Sequence, residues 1–171
     1  GFDSGTLDVT SNAGIVIGAN INNPSGTTTL TANNGSIKAD AEGITLTSNT
    51  MTISATSGIG ENGTPLVIDT QSGVLNATTT SGDIYISELS NNLIFNQITT
   101  GSGDVVLHVQ QNLVPVDTSA LIQGGLIKIY SELGSVGSST ALPVRINMGV
   151  NDLHDYLLVE ASGNVFIEEI S

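Results

Sequence analysis

The chain spells one stretch of text twice, and that repetition narrows its fold more than any single residue does. Ser4-Gly5-Thr6-Leu7-Asp8-Val9 returns as Ser81-Gly82-Asp83-Ile84-Tyr85-Ile86, and Ser25-Gly26 returns as Ser102-Gly103, in both cases 77 positions on. Gly60 and Gly137 keep the same spacing, and Ser162-Gly163 opens a third copy 81 positions after Ser81. Self-similarity at a long fixed period marks an array in which each unit buries its apolar face against the next. The chain therefore reads as one segment, 1–171, built of long repeats 4–80 and 81–161 and the start of a third at 162–171. It opens mid-pattern at Gly1 with no initiator Met, so it is expected to be a piece of something longer.

Inside each repeat the texture is short two-residue alternation: Leu7/Val9, Ile15/Ile17, Ile44/Leu46, Met51/Ile53, Ile84/Ile86, Leu93/Phe95 and Ile127/Ile129. A period of two puts the apolar side chains on one face of a strand and the intervening Thr, Ser or Asp on the other. β-Branched residues dominate, and Asn34-Gly35, Asn62-Gly63, Ser81-Gly82 and Gly124-Gly125 supply turns. No stretch has helical periodicity, and residues 151–160 read as a loop leading into a strand at Tyr156–Val159. The class is all-β.

Two architectures carry all-β repeats of this length: tandem Ig-like β-sandwiches, or a right-handed parallel β-helix in which short coils stack. Sandwiches centre their cores on a large aromatic, and this chain has no Trp. The steps Ser4 to Ser25, Ser25 to Gly43 and Gly43 to Thr80 suggest coils of roughly 20 residues, four per long repeat and eight to nine in all. The β-helix (β-solenoid) is the expected fold, with Ile44, Leu46, Ile84, Ile86, Leu107, Ile127, Ile129 and Ile167 in the core. An exposed terminal coil is an open sheet edge. Neighbouring repeats, or copies stacked end to end into a homopolymer, are the expected partners.

Charge removes several functions. Lys38, Lys128 and Arg145 are the only basic residues against sixteen carboxylates, a net charge of −13. Such a surface has no cations with which to displace the counterions of a nucleic acid, or to hold an anionic membrane. No apolar run approaches the ~20 residues that span a bilayer, so no membrane insertion is expected of this segment. A hydrophobic content of 39% argues against disorder, and the absence of Cys leaves the compartment open.

The runs from Ser4 to Gly14, from Ser25 to Ile37 and from Thr56 to Gly60 resemble the repeats of filamentous-haemagglutinin-like bacterial exoproteins and adhesins. The likeness covers nearly the whole chain. It implies a right-handed β-helix shaft, secreted to the bacterial cell surface and serving attachment or presentation. No secretion domain or toxin tip of that family is recognisable.

The most site-like residues are Asp152, His154 and Asp155, with Glu160 nearby. Carboxylates beside a His suit a divalent metal, or an Asp orienting a His for proton transfer. The bland reading is a polar loop: the second repeat is about four residues longer than the first, and Met148–Asp155 is where they fit. His108 lies between Leu107 and Val109 on a strand, a structural setting. Calcium would suit an acidic secreted protein, but Asp8, Asp40, Glu42, Glu61, Asp69, Asp83 and Glu88 are scattered. Glu168 and Glu169 alternate across a strand. No cofactor is expected.

Thr27/Thr29, Thr45/Thr47 and Thr78/Thr80 spell the Thr-x-Thr of flat solenoid faces that order water as ice-binders do. Set against the next copy, Thr27 and Thr29 fall opposite Asp104 and Val106, which breaks such a ladder. Asn34, Asn62 and Asn76 open triplets of the N-glycosylation pattern. Tyr85 and Phe166, equivalent in successive copies, are expected in the core or stacking between coils. The function expected is a non-enzymatic structural shaft or adhesive segment of a large extracellular bacterial fibre. A carbohydrate-binding module at Asn151–Asp155, taking a host or environmental glycan, is the alternative. A glycan-cleaving β-helix enzyme, needing two carboxylates at a set distance, comes last.

Overall fold

A computed structural model describes residues 4–149 and 156–170. It is a right-handed parallel β-helix, all-β and without helices. Among the described residues every ladder between strands is parallel, which excludes sandwiches, and the antiparallel contacts are two isolated bridges, Glu61–Thr64 and Ser139–Leu142. The hand follows from strand twist, which lets a crossover return over its own sheet in one sense only. Among the described residues no helix is long and apolar enough to cross a membrane.

Asp8, Thr29, Thr52, Asn76, Gln97, Leu121, Arg145 and Glu168 lie one above another on one side, here side A. Ile15, Ile37, Ile59, Ile84, Val105, Ile127 and Leu157 form a column on the next, side B. Side A has eight levels and hence seven turns, fewer than the eight or nine expected. The sequence count went wrong at the corners. Residues 61–64 and 138–142 leave the stack and return within one turn, so turns are longer than the strand-to-strand spacing suggests. At ~4.8 Å per turn the described rod is about 34 Å long.

Alternation does the sorting. In Val105–Val109, Val105, Leu107 and Val109 are buried, Val106 is half-buried and His108 is exposed. The buried aliphatics form a single core from Ile17 to Ile146, which includes seven of the eight expected core residues. Ile167, on the last described strand, is half-buried and packs against it. Among the described residues the one aromatic of the core is Phe95, fully buried; Tyr85 and Phe166 are half-buried and outside it. Both occupy outward positions, which removes the core from the two places expected of them, the core or a stack between coils.

The 77-residue spacing does not match a whole number of turns. Val9 rises through Leu30 and Ile53 to Ala77 in three turns, and Ile86 lies nine residues further on, on side B. Equivalent strands of the two copies are thus about a third of a revolution apart. The change-over is visible in the pairing. Below it, side A carries one long strand per turn, while Gly58–Ile59 and Leu66–Asp69 are separate short strands. Ile84–Glu88 then lies across both short strands, Ile84 on Ile59 and Ile86 on Leu66. Leu93–Thr100 slips at Asn96, with Phe95 over Leu75 but Gln97 over Asn76. From there the long strand runs on side B, in Val105–Val109, Leu126–Ser131 and Tyr156–Ala161. Gly82 sits at this corner, where an added Cβ would lie 1.6 Å from the Ser57 carbonyl oxygen.

Candidate functional site

Polar side chains first serve the corners, where the chain turns and backbone groups lose strand partners. Asp83 Oδ1 accepts the Asp104 N–H at 2.9 Å, and Asp104 Oδ1 accepts the Leu126 N–H at 3.1 Å. Asn112 donates its N–H and Nδ2 to Asn92 Oδ1 at 3.1 and 2.8 Å, and accepts the Ser135 N–H at 2.7 Å. Inside, the buried Ser48 hydroxyl donates to the Gly26 carbonyl at 3.0 Å. Several carboxylates and amides are therefore committed to holding successive turns in register.

Asp152, His154 and Asp155 lie outside the described residues. Glu160 is exposed on strand Tyr156–Ala161. Among the described residues no three His, Asp or Glu side chains gather in a way that would hold a metal ion. His108 is exposed and stacks on Tyr130 one turn above, ring centroids 4.6 Å apart and 13° between planes. The Tyr85 hydroxyl donates to Asp83 Oδ2 at 3.2 Å, and burial beside that carboxylate raises the phenol above its ordinary pKa. Of the three asparagines in glycosylation triplets, Asn34 and Asn62 are exposed, whereas Asn76 is half-buried and accepts from Asn96 at 3.0 Å.

A cleft of about 690 Å³ opens beneath the 138–142 excursion, lined by Thr118, Thr140, Pro143, Arg145, Phe166 and Glu168 among others. Arg145 donates to the Thr118 carbonyl at 3.0 Å and pairs with Glu168 at 3.4 Å. Beside it, hydrogen bonds from Ser119 hold the Asp117 carboxyl below its usual range. A cation, a carboxylate, hydroxyls and one aromatic ring are the groups with which a sugar is hydrogen-bonded and stacked. Sequence alone does not bring these residues together, because Arg145 and Thr118 meet only across a turn.

Glu88 is also misread by sequence alone. It is 2% exposed, its Oε2 accepts the Thr70 N–H and hydroxyl at 3.2 and 3.1 Å, and its Oε1 has no partner. Burial pushes its pKa up to about 7 against the opposing Thr70 bonds. The signal was present: Ile84, Ile86 and Glu88 share one face of a strand, so the alternation that buries the first two buries the third.

Side A presents a third arrangement. Thr6, Thr27 and Thr50 stack in one outward column, and Asp8, Thr29, Thr52 and Asn76 in the next. Thr10, Thr31, Ser54, Thr78 and Thr99 make another. The spatial neighbours of Thr29 are Asp8 and Thr52, not Val106. The sequence comparison that broke the threonine ladder paired residues on different sides of the helix.

Compared with protein-family models, with characterised proteins and with solved structures, the chain matches none.

Proposed function

We propose that this chain is a non-enzymatic shaft or adhesive segment of a large extracellular bacterial surface fibre. The observation that carries the reading is the unbroken stack of seven turns, each hydrogen-bonded to the next around one aliphatic core. In such a stack, stability adds turn by turn along the axis, so the molecule behaves as a stiff spacer. Outward Thr, Ser, Asn and carboxylate groups keep its sides hydrated and mutually repelling. Its partners are neighbouring turns of the same kind, met end to end, because a parallel sheet edge offers unpaired N–H and C=O groups. Electron microscopy and small-angle scattering of the purified chain test this. Rods whose cross-section is that of one solenoid support it, and spherical particles overturn it.

The Arg145–Glu168–Phe166 cleft favours a second reading, a glycan-binding module. A glycan array probed with the whole chain and with Arg145→Ala distinguishes it: sugar binding lost with Arg145 promotes this reading, and no binding removes it.

A further inference from the structure

Side A combines two features, of which the second sets it apart from side B, where the pairing is equally in register. The first is regularity. Pairing across residues 27–32, 50–55 and 74–79 has no register shift, so Thr27, Thr29, Thr31, Thr50, Thr52, Ser54, Asn76 and Thr78 form a regular grid. Its spacings are one strand, ~4.8 Å, along the axis and two residues, roughly 6.7 Å, across it. The second is charge. In a chain with sixteen carboxylates this face carries Asp8 at one end and Arg145 with Glu168 at the other, and none in the five levels between.

The grid is also stiff and free. Threonine is restricted at χ1, and its inward neighbours Thr28, Leu30, Met51, Ile53, Leu75 and Ala77 are almost fully buried. Among the described residues, the hydroxyls of Thr27, Thr29, Thr31, Thr50 and Thr52 make no protein hydrogen bond, although Thr78 donates to Ser54 at 3.4 Å. A rigid, uncharged array of hydroxyl and methyl groups has little to offer a small solute, which would need a concave site. A stacked sugar would need an aromatic ring, and Tyr85 and Tyr130 stand on side B. A second copy laid face to face would bury unpaired hydroxyls where packed sheets place apolar side chains. Liquid water resists being held in rows, because immobilising each molecule costs entropy. In ice that entropy is already lost, and water oxygens repeat in a plane at a spacing close to that between strands.

We infer that side A, centred on Thr29, Thr31, Thr50 and Thr52, is an ice-binding plane. The inference does not depend on the shaft reading. The test freezes the purified chain slowly, measures its partition into the growing ice, and follows recrystallisation of a fine-grained ice film. The wild-type chain enters ice and halts grain growth. Thr52→Lys, which raises a charged chain above the centre of the grid, loses both effects while keeping the wild-type circular dichroism and melting temperature. Thr47→Lys, the same change on the same strand but below the corner, keeps both. The paired change Thr29→Val with Thr52→Val preserves shape and weakens the effect without abolishing it. A wild-type chain rejected by ice as an inert protein is rejected overturns the inference, and so do equal losses in Thr47→Lys and Thr52→Lys. If Thr52→Lys instead converts a dimer to a monomer, or abolishes retention on an insoluble polysaccharide, with no ice effect in the wild type, that ligand replaces ice. A rod with no affinity for ice leaves the shaft reading intact.

Discussion

The long strands of the lower turns and those of the upper turns are the same text carried to different sides. Inward, the two sets agree in kind: Thr28, Leu30 and Ala32 below, Val105, Leu107 and Val109 above, all buried. Outward they part. Thr29 and Thr31 correspond to Val106 and His108, and Thr52 and Ser54 to Ile129 and Ser131 once the 77-residue spacing is applied literally, a mismatch of face that shows how the upper copy has drifted in register. On their outward positions the upper long strands of side B show Tyr85, Val106, His108, Lys128 and Tyr130, whereas the lower long strands of side A show mostly hydroxyls. Core positions are held by close packing, which penalises any change of volume, whereas a solvent-facing strand position tolerates most residues. The divergence of a duplicated solenoid therefore collects on its outside.

The comparison is most severely tested at the corner where the long strand changes sides. Gly82→Ala should destabilise by about 4 kcal/mol or more in urea unfolding, because its Cβ meets the Ser57 carbonyl and no flexible side chain can yield. Gly18→Ala, with open space around its Cβ, should stay within about 0.5 kcal/mol. If both behave alike, the change-over is not a fixed point of the fold. Next, Ile53→Ala from the lower turns and Ile129→Ala from the upper should cost similar amounts, about 3–4 kcal/mol each. Unequal losses would mean that the two halves are not one continuous core.

Glu88 gives a smaller, pH-dependent effect. Its folded-state pKa lies near 7, above the ordinary 4.5, so the folded chain holds the extra proton between those values. The sign is that of a penalty. Stability from this group is full below about pH 4.5, falls as pH rises towards 7, and is lower by about 3 kcal/mol above it. Glu88→Gln should flatten the difference between unfolding curves taken at pH 5 and pH 8; an unchanged slope would place the buried proton elsewhere. The smallest effect belongs to the Lys38–Glu61 pair, 2.7 Å apart and well exposed, where Lys38→Met should cost less than about 1 kcal/mol and lose even that in high salt.

Much of this was legible in the chain itself. Alternation identified the inward residues strand by strand, since side-chain direction in a strand is a local property, and Leu46, Ile84, Leu107 and Ile127 needed no partner to be assigned. Phe166 and Tyr85 were misplaced because apolar character was weighed above position in the alternation. Glu88 was overlooked for the opposite reason, its charge concealing an inward position. The cleft of Arg145, Thr118 and Glu168 was hidden because its members are brought together by whole turns, and turn length depends on how many residues the corners eject.

By itself the sequence determined that the chain is all-β, wound in stacked turns and filled with aliphatic side chains, because strand alternation and long-range repetition are both written in one dimension. Only the tertiary structure decided how many residues close a turn, and with it which side chains stand above one another. Hydrogen bonding between turns sets that register, and it moved the second copy a third of a revolution from the first. It also made neighbours of threonines 21 to 23 positions apart.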